Sequence, residues 1–503
     1  MLFSIKISYR ISRSLPLPVL IMHKGTFKVH CDCSLYRAVL ILLLIANLFP
    51  TAAIAQKSQV PTVPTPPVYR GVDPNAPPDP QTIADTKWFD VFRDPRLQDL
   101  IREALTYNYD LREAVARVDL ARANLGLTKS EQYPQIYGGG DFTTVGRSRD
   151  GEVRIPEPAK KAHSFGSVFV NLLSFELDIW GRLRKQTKAA KADLLASEEA
   201  RKAVLTTIVG DVAGSYFIMR ELDFELDIAR RTLASRLDSL RIIRLREERG
   251  VANKLELRQA EELVYDASET IPLLEKLIEQ QENFLSVLIG KNPGPITRGL
   301  SLTEEQLPPN VPPGLPSDLL VRRPDIRSAE QSLIAAGARI DVARKAYLPR
   351  ISLSGFFGFE STSLTNLFKS PQSIWAFVPE VSQPIFTAGR LKSNVRFTQA
   401  QRDLFLVNYE RIIQNAFREV SDSLVARRKT REVREQRALL VATLRDRVRL
   451  SYMRYTGGVS NLLEALDADR ELFNAELSLA QARRDELITV VQLYKALGGG
   501  WQQ

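Results

Sequence analysis

The chain contains one unit twice. Residues 110–134 run from Asp110-Leu111-Arg112 to Pro134, and residues 325–349 run from Asp325-Ile326-Arg327 to Pro349. The Asp-to-Pro spacing is 24 in both, and Ala114, Ala121 and Ala123 coincide with Ala329, Ala336 and Ala338. Gly181-Arg182-Leu183 then matches Gly389-Arg390-Leu391, and from there the offset holds at 208 without a gap. Gly250-Val251 meets Gly458-Val459; Asn253, Leu255 and Glu256 meet Asn461, Leu463 and Glu464; Gly290 meets Gly498. The copies differ in length only between the Pro and the Gly-Arg-Leu, 47 residues against 40. A fold for this sequence has to be assembled from two like halves.

Each half reads the same way. A helical stretch comes first, at about 95–130 and about 316–346, followed by two strand-like segments. Those are about 135–146 and 165–177 in the first half and about 350–360 and 373–386 in the second. Next comes a helical pattern free of proline, 182–249 and 390–456. In the second copy Leu406, Tyr409, Ile413, Phe417, Val420 and Leu424 step by three or four residues, the period of one helix face. At about 1.5 Å per residue each run is a rod of roughly 100 Å. Glycine suits the left-handed end of a helix, so the chain reverses at Gly250 and at Gly457-Gly458. Helices 254–289 and 462–497 return. The expected domains are a first repeat 87–290 and a second repeat 316–498. A Pro-rich linker 291–315 joins them, a Pro-rich extension 56–86 precedes them and a short tail 499–503 follows.

The N-terminus reads as an address. Residues 38–49, AVLILLLIANLF, are apolar but too short for a membrane-spanning helix of about 20 residues. Lys24, Lys28 and Arg37 precede the run, and Pro50 and Ala53-Ile54-Ala55 follow it. This is the layout of a secretory signal peptide over 1–55, cleaved between Ala55 and Gln56. Met22 is an alternative start, which would make 1–21 an extension. The formal charge is +10, and the segment carries six basic residues and one acid, so half of that charge leaves with it. No basic patch interleaved with aromatics remains, and a nucleic-acid partner is unsupported.

Composition then removes most enzymes. The two cysteines, Cys31 and Cys33, and two of the three histidines, His23 and His30, lie within the signal segment. The mature chain keeps His163 alone, read here as an outward-facing residue in the loop of the first strand pair. A disulfide, a Cys or Cys/His zinc site and a Cys nucleophile are excluded, and a Ser-His-Asp triad would need His163 as its base. Gly290-Lys291-Asn292 lacks the rest of a phosphate-binding loop. No catalytic residue, cofactor or metal site is expected.

The strands are the membrane clue. Ile351 to Phe359 alternates, and Phe165, Phe169, Leu173, Phe175 and Leu177 share one side by alternation. Each segment has about the length of a tilted transmembrane strand. Four strands cannot close a barrel, and an open edge cannot sit in lipid, so spanning strands require several chains to share one barrel. Three chains would give twelve strands. An ordinary soluble sheet is the alternative.

At this point the residues resemble a known family. Leu319-Leu-Val-Arg-Arg-Pro-Asp-Ile-Arg-Ser-Ala-Glu330 and Ala343-Arg-Lys-Ala-Tyr-Leu-Pro-Arg-Ile-Ser-Leu353 are similar to the signature of outer-membrane efflux proteins of the TolC superfamily, in the OprM/NodT-like branch. So are Trp88-Phe89, Asp94-Pro95-Arg-Leu97, Leu177-Asp-Ile-Trp-Gly-Arg-Leu183, Gln383-Pro-Ile-Phe-Thr-Ala-Gly-Arg390 and Arg454-Tyr-Thr-Gly-Gly-Val-Ser-Asn461. The resemblance covers about 86–500 and implies an α+β membrane protein. In it a homotrimer forms a 12-stranded transmembrane β-barrel continuous with an α-helical periplasmic tunnel. It implies an outer-membrane location, a periplasmic adaptor and an inner-membrane RND pump as partners, and passive conduction of small molecules. Many members carry a lipid on a first mature Cys; here Gln56 stands in that place, and no lipid anchor is expected.

The resemblance also implies roles at the helix turns. Asp467 and Glu464 match acids that ring a tunnel aperture, and Tyr455 and Arg454 match or neighbour residues that latch the closed tips. Gly250, Val251, Gly458, Val459 and Ser460 are the expected adaptor contacts. Plainer readings stand beside these. Asn461-x-x-Glu464 and Asn253-x-x-Glu256 resemble capping boxes, Tyr455 and Arg454 could be a solvated helix end, and the glycines would follow from the turns alone. The counterpart of Asp467 in the first copy is Gln259, so the duplicated unit itself needs no acid there. Arg322, Arg323 and Asp325, around the helix-starting Pro324, read as structural. The alternative functions are an exit duct for type I protein secretion beside an ABC exporter, a soluble periplasmic coiled-coil scaffold and, more distantly, a periplasmic hydrolase.

Overall fold

The computed structural model describes residues 64–70, 82–146, 162–305, 312 and 314–501, all within the unit Ser58–Gln503. The expected signal peptide 1–55, with its Ala55–Gln56 boundary, lies outside the described residues, as do parts of the extension and linker.

Three helices open the chain: α1 (Trp88–Val91), α2 (Pro95–Tyr107) and α3 (Tyr109–Ser130). Asp94 starts α2, accepting from the Arg96 amide at 2.7 Å ahead of Pro95, which needs no partner for an N–H. Two strands follow, β1 (Ile136–Gly146) and β2 (Ala162–Glu176), then the long helix α4 (Arg182–Glu248) and its return α5 (Lys254–Leu288). The second half repeats this as α6 (Pro316–Arg322), α7 (Pro324–Lys345), β3 (Arg350–Ser361), β4 (Ser373–Ser382), α8 (Arg390–Thr456) and α9 (Leu462–Ala496). The duplication is literal in three dimensions. Helices α4 and α8 have 67 residues each, α5 and α9 have 35 each, and all four bounds differ by 208.

The core gathers where the helices cross at mid-length. Leu97, Leu100, Ile101 and Ala104 of α2 are fully buried against the stretch of α4 around Val212, Ala213 and Tyr216. Val490, Leu493 and Tyr494 of α9 complete the cluster. Arg323, read as structural, ties the second half to it. It pairs with Asp325 at 2.7 Å and Glu419 at 2.7 Å, and donates to the carbonyl of Ala496 at 2.9 Å. A buried guanidinium needs this full set of acceptors.

The four strands form one antiparallel sheet in the order β1-β2-β3-β4. Register gives it two chemically different faces. Val168, Val170, Ile351, Leu353, Phe357, Trp375, Phe377 and Val381 fall on one; Asp141, Ser167, Asn171, Ser352, Glu360 and Glu380 fall on the other. Simple alternation fails at one place. The pairing slips between Leu172 and Phe175, so a β-bulge moves Phe175 to the apolar face while Phe165 and Phe169 lie on the polar one. Those aromatics therefore do not share a side. Two further corrections follow. His163 lies within β2 opposite Val145, stacked on Phe165, rather than in a loop. Strand β4 stops at Ser382 rather than 386, because Pro384 has no N–H for the ladder and Gln383 turns to bond the Tyr347 carbonyl.

The helices line up in the same order as the strands. Helix α4 packs against α3, α5, α7 and α9, and α8 packs against α7 and α9. One flank of the unit is therefore β1, α3 and α5, and the opposite flank is β4 and α8.

Candidate functional site

The candidate site is the pair of helix reversals farthest from the sheet. Each is built by the same backbone device. In the first, Gly250 sits at φ +73° and donates to Glu247 O at 2.9 Å, while Val251 donates to Arg246 O at 2.8 Å. In the second, Gly458 sits at φ +74° and donates to Tyr455 O at 3.0 Å, while Val459 donates to Arg454 O at 2.9 Å. These bonds close the carbonyls that a helix end leaves open, and the left-handed residue between them suits glycine. The returning helices are capped alike. Asn253 accepts from the Glu256 amide at 2.9 Å, and Asn461 accepts from the Glu464 amide at 3.2 Å.

What the turns present to solvent is also duplicated. Val251 and Leu255 are each 65% exposed, and their counterparts Val459 and Leu463 are 74% and 54% exposed. Ser460 is half-buried between them. The two turns thus each present an exposed apolar pair.

Tyr455 and Arg454 are adjacent but separate in role. Tyr455 is buried in the cluster formed by Leu240, Ile243, Leu257, Val264 and Leu466, which joins the two hairpins below the turns. Its ring lies under the Arg246 guanidinium at 4.7 Å, and its hydroxyl has no hydrogen-bond partner among the described residues. Burial pushes its ionisation up, Arg246 opposes this and Glu256 adds to it. Arg454 is exposed and lines a groove of about 620 Å³ with Arg447, Val459 and Glu464.

Asp467 is not a bare carboxylate. Arg470, one turn along α9, donates to it at 2.6 Å, and Arg447 of α8 approaches at 3.4 Å while also pairing with Glu471. Arg470 is visible in the sequence as a partner three residues on; Arg447 is not, since nothing local links it to Asp467. Glu464 stands beside the cap, its own amide bound by Asn461. Arg246 and Arg236 are also missed by a motif reading; the second copy keeps an arginine, Arg454, at the first position and has Leu444 at the second, so the copies diverge at the second alone of these two.

Comparison with known proteins gives a consistent answer. The model of the family described as outer membrane efflux protein matches residues 100–291 and 315–499. A solvent efflux pump outer membrane protein, SrpC of Pseudomonas putida, is 38% identical over 415 residues, 82% of this chain and 86% of its own length. A probable outer membrane lipoprotein of Salmonella typhimurium, SilC, is 33% identical over 464 residues, 92% of this chain and 98% of its own. Among solved structures, the open state of the MtrE outer membrane channel of Neisseria gonorrhoeae superposes with a TM-score of 0.80 at 31% identity, covering 88% of this chain and 98% of that one.

Proposed function

The chain belongs to the outer membrane efflux protein family and is an outer-membrane channel of an efflux pump, and from that premise we propose that three copies close one twelve-stranded barrel over a helical tunnel. The observation that carries this is the sheet with two bare edges and one apolar face. Among the described residues no strand pairs with the outer edge of β1 or of β4, and hydrocarbon does not tolerate an open sheet edge. Pairing β4 of one copy with β1 of the next satisfies both edges, and three such joints return to the start. The polar face, with Asp141, Glu360 and Glu380, then lines the bore.

The helical flanks favour the same joint. Helix α5 exposes Leu273, Leu277, Phe284 and Val287 on the face turned away from α4, at coiled-coil steps. Helix α8 exposes Phe397, Leu404 and Val407 near the sheet and Val433, Leu440, Leu450 and Met453 toward the turn. The flanks are also opposite in charge: α8 carries 16 Lys and Arg against seven Asp and Glu, and α5 carries three against eight. Neighbouring copies thus meet with complementary apolar stripes and complementary charge.

The duct conducts small molecules passively from an inner-membrane RND transporter handed on by a periplasmic adaptor. The exposed Val251, Leu255, Val459 and Leu463, on turns set by Gly250 and Gly458 and beside Ser460, are the adaptor's seat. Glu464 and Asp467 face the aperture with Arg447, Arg454 and Arg470 around them, and Tyr455 holds the second turn against the first. The test is single-channel recording of protein purified from outer membranes, in planar bilayers. Stepwise currents that rise in Asp467→Ala support the aperture. Equal currents in both forms keep the channel and remove Asp467 from the gate. No current from either folded form overturns the conduit.

A further inference from the structure

The face that lines the bore in the barrel proposed above is not polar along its whole length. The register that puts Asp141, Asn171 and Glu380 on it also puts Phe169, Phe356, Ile374, Ala376 and Val378 there. These five are neighbours by pairing. Phe356 stands opposite Asn171 on β2 and Ala376 on β4. Two residues either way along β3, Ser354 stands opposite Val378 and Gly358 opposite Ile374. The band lies midway along the strands. Glu360 is four residues beyond Phe356 on β3, and Ser352, opposite Glu380, is four residues before it, about 13 Å each way.

The band encloses a cavity of about 420 Å³, lined by those five side chains together with Asn171. Its aromatic floor depends on two glycines. Phe169 stands opposite Gly139 of β1 and Gly358 of β3. A Cβ at Gly139 would lie 3.2 Å from the Phe169 ring, and one at Gly358 would lie 2.7 Å from Phe169 Cβ. Both flanks of Phe169 are thus kept clear of side chains, as happens where a strand makes room for a close approach.

One polar atom in the cavity is left over. Asn171 Oδ1 is buried and has no hydrogen-bond partner among the described residues. The Ser167 hydroxyl, by contrast, already donates to Asp141. An amide oxygen kept from water without a donor is unfavourable, and a ligand hydroxyl seated in the cavity satisfies it. Aromatic and aliphatic walls ask for a planar apolar body. The carboxylates of Glu360 and Glu380, above and below, disfavour an anion.

We propose that this band is a transit subsite, one on each copy, for uncharged phenol-like molecules: a planar apolar ring system carrying one hydroxyl. The ring lies on Phe169 and Phe356, and the hydroxyl donates to Asn171 Oδ1. The subsite rests on the duct proposed above and names a cargo class that its wall retains.

The experiment is photolabelling of the full chain in phosphatidylcholine nanodiscs with 4-azidophenol, followed by mass spectrometry of the labelled peptides. 1-Naphthol and naphthalene are the competitors, and native mass spectrometry counts the copies in the same preparation. Saturable label within 167–172, 354–358 and 374–378 is expected. 1-Naphthol competes roughly three- to tenfold better than naphthalene, the worth of one neutral hydrogen bond. Asn171→Leu removes that preference. Ala376→Leu fills the cavity and cuts the label roughly fivefold or more at unchanged copy number. Label confined to the opposite face around Val168, Phe357 and Trp375 overturns the subsite. So does equal competition by the two probes, or cavity label that neither folded variant changes. Three copies in a particle without cavity label keep the duct and overturn the subsite. Cavity label with the expected preference in a single-chain particle keeps the binding site and overturns the shared barrel.

Discussion

The Tyr455 ring centroid lies 4.7 Å from the Arg246 guanidinium while its hydroxyl finds no acceptor among the described residues, so its hold on the first hairpin is through the ring. Tyr455→Phe therefore leaves single-channel current unchanged, and Tyr455→Ala raises it; a rise with phenylalanine would move the latch to the hydroxyl. A second residue sets a pH dependence. Burial first, and then the neighbouring Asp94, push the Glu305 carboxyl up to about 8 from 4.5. The folded state keeps a proton that the unfolded chain releases, so this stabilisation is full below about pH 4.5 and is lost as pH rises toward 8. Melting temperature of the detergent-solubilised protein falls over that range, and Glu305→Gln flattens the fall. An unchanged slope in the variant would assign the effect elsewhere.

At the scale of elements, the turns are set by backbone geometry alone. A Cβ built on Gly458 meets nothing within 4 Å, so Gly458→Ala costs only the left-handed backbone, roughly 1–2 kcal/mol. Amides of Tyr455 to Val459 then exchange roughly five- to thirtyfold faster, and unaltered exchange would deny that the turn is under this constraint. The long helices, their reversals and the strands are legible in the sequence because each leaves a local mark: unbroken periodicity, a glycine at a positive φ, alternation bounded by glycine and proline. The bulge after Leu172 is not legible, since one extra residue changes no composition and yet reverses the side on which Phe175 falls. The site divides in the same way. Asn461 capping the Glu464 amide and Arg470 beside Asp467 follow from spacing along one helix. Arg447 reaching Asp467, and Arg236 reaching Asp469, join residues 20 and 233 positions apart and exist only once the helices pack.

At the scale of the whole molecule, the copies must complete what one chain leaves open. Among the described residues strands β1 and β4 each pair along one edge only, the α5 flank exposes a coiled-coil stripe and the α8 flank exposes another with the opposite charge excess. Phe284 is 57% exposed at the middle of the α5 stripe. Phe284→Glu places a charge where the neighbouring copy must bury apolar surface, so it dissociates the assembly while each chain keeps its own core; an intact assembly in this variant would place the joint elsewhere. The most direct test of the account is native mass spectrometry of the wild-type protein extracted from outer membranes in mild detergent. Three copies in one particle are predicted. A folded, detergent-stable single chain would contradict the shared barrel and with it the reading of both bare edges.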